Sequence, residues 1–80
     1  MGYCEGMNEF KNALRKVIQE NMEILKTDGT VSIGRDCFWQ LVVTHLSHLE
    51  GAPRGTNAAY FAREAFDQIL SEKPFSKFVY

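Results

Sequence analysis

Residues 37–50, CFWQLVVTHLSHLE, constrain the fold more than any other part of this chain. They include the only Trp, one of two Cys and both His. Wound as an α-helix at about 100° per residue, Cys37, Phe38, Trp39, Leu41, Val42, Val43, Leu46 and Leu49 cover an arc of roughly 220–240°. A surface helix shows an apolar stripe only a little over about 100° wide. A helix over 35–49 is therefore expected either at the centre of its domain, as its most buried element, or against a second chain. Phe38, Val42, Leu46 and Leu49 are its expected core positions. His45 falls inside the arc and His48 at its edge.

Eighty residues make one domain. A chain of this size hides only about 60–65% of the surface its unfolded form exposes, so its core is small. Two Cys allow one disulfide at most, and the N-terminus has no apolar signal segment with a cleavage site. The expected setting is a reducing cytoplasm, of the cell or of a host. No apolar run approaches the roughly 20 residues of a membrane span. Nine basic residues against ten acidic ones leave a net charge of −1, whereas nucleic-acid binding rests on a basic excess or stripe. Lys11, Arg15 and Lys16 form the longest basic cluster, and Glu9, Glu20 and Glu23 interrupt it as on an ordinary solvated helix face.

Residues 1–6 read as a flexible leader. Gly2 with Cys4 falls short of a double acylation signal, because position 6 is Gly rather than a small hydroxyl residue. Over 7–26 the spacing is helical, with Met7, Phe10, Leu14, Val17, Ile18, Ile24 and Leu25 on one side and Asn8 or Gly6 at the cap. Lys26 followed by Asp28-Gly29 supplies a cationic last turn and a stop. Asn21 lies within the stripe and needs a partner, for which a His on the facing helix qualifies. Residues 30–33 alternate and are β-branched, so they can extend and pair with 77–80. The run 51–55, Gly-Ala-Pro-Arg-Gly, breaks the chain. Thr56 or Asn57 then caps a third helix over 57–71, whose inner face is Ala58, Ala59, Ala62, Ala65, Phe66, Ile69 and Leu70. Tyr60 and Phe61 point away from that face, on two different sides. The fold expected is all-α, three helices, with room for one short two-stranded pairing of 30–33 with 77–80.

Cys4, Cys37, His45 and His48 are zinc-type ligands, but structural zinc sites pair ligands a few residues apart on a turn, and neither Cys has a close Cys neighbour. A core His45 bonded to Asn21 or a backbone carbonyl is the preferred reading, with no metal and no cofactor. Cys37 and His48 share a helix azimuth but sit three turns apart, about 16 Å along the axis, too far to exchange a proton. Arg54, Gly55, Thr56 and Asn57 lead into a helix N-terminus, where free N–H groups, the helix dipole and a guanidinium suit an anion. The loop lacks the Lys-Ser/Thr ending of a phosphate-binding P-loop, and a plain helix connection looks the same. Finally, Trp39, Tyr60, Phe61, Phe75, Phe78 and Tyr80 form an aromatic excess that suits a partner-binding surface, unless the tail folds back and buries its own rings.

The function expected is therefore a small non-catalytic interaction protein, of the regulator or inhibitor size that phages and mobile elements encode. It docks aromatics on another protein and pairs with itself as a dimer. One alternative is a binder of a nucleotide or other small anion through 51–57. A second is a helix-turn-helix DNA binder using the third helix, whose Glu64, Asp67 and Glu72 would repel phosphates beside Arg63, Gln68 and Asn57. No membrane partner is expected.

Overall fold

The computed structural model describes residues 8–80 in full and the backbone of residues 2–7. The expected leader, 1–6, and Cys4 lie outside the fully described residues. The chain forms α1 (Gly2–Thr27), α2 (Arg35–Val42), a 3₁₀ helix (Val43–His48), α3 (Ala58–Leu70) and a single turn, α4 (Phe75–Phe78). The architecture is all-α, as expected, in a body of 41 × 22 × 18 Å.

On α1 the core ridge is Phe10, Leu14, Ile18 and Met22, four residues apart and each essentially inaccessible. Side chains at that spacing make the slanted row that packs into a neighbouring helix's groove. Because the row winds about 40° per step, Ile24 ends up about 100° from its midline, and Ile24 is 60% exposed rather than buried. Met22, absent from the expected stripe, takes the inner position. Asn21 is half-buried and donates from Nδ2 to the Val17 carbonyl one turn back, at 2.9 Å. Its partner is thus its own helix and not a histidine. The helix stops as the sequence implies: Gly29 has φ +93°, its N–H bonds the Lys26 carbonyl, and Thr30 N–H bonds the Leu25 carbonyl. This is the paired closure that a left-handed residue after a helix permits.

The long central helix is not realised. Its α-helical part ends at Val42, and residues 43–48 wind as a 3₁₀ helix. At three residues per turn, positions i and i+3 eclipse. Val43, Leu46 and Leu49 therefore line up on one half-buried side, while Thr44 with Ser47, and His45 with His48, take two exposed sides. The apparently wide arc came from assuming 100° per residue across a segment that winds at 120°. Its breadth says nothing about a second chain. Phe38 and Val42 are core, as expected, but Leu46 and Leu49 are only partly buried, and α3 is the more buried element.

On α3, Ala62, Ala65, Phe66, Ile69 and Leu70 face the core, whereas Ala58 is half-buried and Ala59 exposed. Asn57 holds the cap position, yet among the described residues neither its side chain nor that of Thr56 makes a capping hydrogen bond. The tail does fold back: Phe75, Phe78 and Val79 join the core. The expected pairing of 30–33 with 77–80 shrinks to one parallel bridge, Ile33 with Val79, because Lys77 and Phe78 are taken up by α4. Ile33 N–H bonds the Phe78 carbonyl, Tyr80 N–H bonds the Ile33 carbonyl, and Arg35 N–H bonds the Tyr80 carbonyl at 2.6 Å. The last bond satisfies one of the free donors at the start of α2.

Candidate functional site

The core occupies one side of α3 and leaves the opposite side in solvent. Phe61, Glu64 and Gln68, at i, i+3 and i+7, share the flank of α3 between the core and that outer side and with Lys11 and Ala65 line a cleft of about 110 Å³ along the α1–α3 seam. Tyr60 and Phe61 are 65% and 45% exposed, and their rings meet edge-on at 5.4 Å. Hydrogen bonding of the Tyr60 hydroxyl to Glu64, followed by that carboxylate's charge, holds the phenol above its ordinary pKa. The cleft thus has a cation on its α1 wall, an anion on its α3 wall and Phe61 beside them, with Tyr60 edge-on to that ring from outside the cleft.

Around it the charges are already committed. Arg15 clasps Glu72 through Nε and Nη2 at 3.0 and 2.9 Å and donates from Nη1 to Asn12. This fork raises the Arg15 pKa and holds the Glu72 carboxyl below its usual range. Arg63 donates to Asp36 at 2.8 Å and to Asp67 at 3.3 Å, and Arg35 also reaches Asp67. Hydrogen bonding to Asp36, and then to Asp67, raises the Arg63 pKa. Among the described residues, Lys11 and Glu64 have no such ion pair.

The other expected site residues scatter. Phe75 and Phe78 are core residues and cannot serve as exposed anchors. Trp39 is half-buried, edge-on to Phe66 at 4.9 Å and covered by the Arg63 guanidinium at 5.4 Å. Tyr80 is 77% exposed, and its ring lies 3.7 Å from where a Cβ on Gly34 would stand. It lies at the start of α2, whereas Tyr60 and Phe61 lie at the start of α3. His45, His48 and Cys37 are all exposed, which removes the core histidine. No group of three or more metal-type ligands gathers among the described residues. Gly55 has φ +93°, and the Ala58 N–H bonds its carbonyl. Arg54 lines an open cleft of about 560 Å³ beside Ser47, His48 and Glu50, while Gly55, Thr56 and Asn57 do not line it.

The residues not foreseen as site members are Lys11, Glu64 and Gln68. The spacing of Phe61, Glu64 and Gln68 off the Ala/Phe/Ile/Leu face was the available signal. The proximity of Lys11 was not, since it depends on how α1 crosses α3. No helix among the described residues is long and apolar enough to cross a membrane. Comparison with profiles of known protein families, with curated proteins and with solved structures found no match to this chain.

Proposed function

We propose that the chain is a small non-catalytic interaction protein, of the regulator or inhibitor type, which docks on a partner protein through Tyr60 and Phe61 with Lys11, Glu64 and Gln68 around them. The observation that carries this reading is the edge-stacked, solvent-facing Tyr60–Phe61 pair on a helix whose core work is done by its other side. Two adjacent aromatics held in contact lose little further freedom on binding, and such rings anchor interfaces more than other side chains do. The setting we infer is a reducing cytoplasm, where the exposed Cys37 thiol stays free. A photo-crosslinking residue at position 60, activated in the native cell, is expected to trap a discrete partner that Phe61→Ser releases. Each of Tyr60→Ala and Phe61→Ala should weaken that complex by about 2 kcal/mol or more. Trapping that is unchanged by Phe61→Ser would defeat the reading.

A second reading, an anion site at the 51–57 loop, is supported by Arg54 and His48 lining one cleft. Glu50 on the same cleft opposes it. In this reading inorganic phosphate shifts the Arg54 and His48 NMR signals, and Arg54→Ala abolishes the shift without altering the fold. The third-helix DNA reading finds less support, because Arg63 is held by Asp36 and Asp67.

A further inference from the structure

We infer that the α1–α3 face docks on a second copy of this chain, with Phe61 of both copies near a two-fold axis and Lys11 of each copy opposite Glu64 of the other. This rests on reading that face as an interaction surface, and it names the partner. In a two-fold dimer the axis lies within the interface, so whatever stands on one side of it meets what stands on the other side in the second copy. A face can pair with itself only when its two sides complement each other. The α1–α3 cleft meets this condition, with Lys11 on one wall, Glu64 and Gln68 on the other, and Phe61 beside them.

An axis running along the seam keeps each residue's position along it and exchanges the walls. Lys11 then faces Glu64 and Gln68, and the Phe61 rings approach one another. The charges agree with this. Arg15, Arg35 and Arg63 all hold carboxylates within the chain, whereas Lys11 and Glu64, the two charges on the cleft, form no ion pair among the described residues. Glu64 meets only the neutral Tyr60 hydroxyl, and Lys11 acts on Glu72 only through its charge. A net charge of −1 puts no strong repulsion between copies. Standard interfaces cover about 800 Å² per partner, roughly one-seventh of the 5354 Å² that this chain exposes. The face is built around a cleft of only about 110 Å³ with Phe61 as its aromatic, so the dimer is a weak one.

The test is sedimentation of the full chain as a concentration series, with Lys11→Glu, Glu64→Lys and Phe61→Ser alongside. The unmodified chain should show a monomer–dimer equilibrium. Each charge variant alone should associate at least about tenfold more weakly, because like charges then meet twice across the axis. An equimolar mixture of Lys11→Glu with Glu64→Lys should regain dimer, since every cross-axis contact is again between opposite charges. Phe61→Ser should sediment as monomer, with unchanged helical circular dichroism confirming its fold. A monomer at all concentrations, charge variants that associate like the parent, or a mixture that gains nothing would each overturn the self-pairing. If crosslinking at position 60 still trapped a different protein in that case, the interaction reading would stand without this partner.

Discussion

Phe66 is where the packing converges: Phe38 lies 6.1 Å away, Trp39 sits edge-on at 4.9 Å, and the Arg63 guanidinium covers it at 5.8 Å. Phe66→Ala should cost about 3–5 kcal/mol in denaturant unfolding, the usual range for an emptied aromatic site. Leu46→Ala should cost less, about 1–2 kcal/mol, because Leu46 is only partly buried and its site can refill with water. A larger loss at Leu46 than at Phe66 would mean that the core is centred on the 3₁₀ helix after all. At Glu72 the issue is charge. Arg15 lowers its carboxyl pKa in the folded state, so this pair stabilises fully above the ordinary glutamate pKa and loses its effect as pH falls through the lowered value. Both side chains are more than a third exposed, which keeps the contribution small. The melting temperature of Glu72→Gln should lie slightly below the parent near neutral pH and converge with it in acid. A gap that widened in acid would contradict the pairing.

At the scale of elements, the sequence was most legible where a single period ran unbroken and a stop signal followed. The α1 stop is the clearest case, because Asp28-Gly29 after a cationic turn leaves few alternatives to a left-handed glycine. Gly29→Ala should destabilise by about 1–2 kcal/mol, since an L side chain at positive φ is strained even though no neighbour would clash. A neutral result in thermal unfolding would mean that the helix end relaxes. The α2–3₁₀ segment misled because a period of 3.6 was imposed on it. Val43, Leu46 and Leu49 with His45 and His48 already spell a period of three, but so short a run is equally readable as a broad helix face. The aromatic tail was open between two readings for a different reason. Whether Phe75 and Phe78 turn inward depends on the space left between α1 and α3, which no local pattern records. The α1–α3 site was half legible: Tyr60 and Phe61 could be placed off the apolar face of α3, but nothing local brings Lys11 to them.

For the whole molecule, the core is divided between two lengths of chain. Of the described buried side chains, Phe10, Leu14, Ile18, Met22, Phe38 and Val42 precede the 51–57 connection, and Ala62, Ala65, Phe66, Ile69, Leu70, Phe75, Phe78 and Val79 follow it. Neither set can close a core alone, and helices of these lengths are marginal in water without packing. The connection itself buries nothing fully, and it places Arg54 in solvent between Pro53 and Gly55. Brief trypsin treatment is thus expected to nick the native protein after Arg54 and leave both pieces together, eluting as one species with nearly intact helical signal. Separation of the pieces under native conditions would show that the two halves do not hold each other. If they remain together, the molecule is a pair of complementing fragments joined by a dispensable link. Fused to the two halves of a reporter enzyme, such fragments would assemble it only when both are made in the same cell.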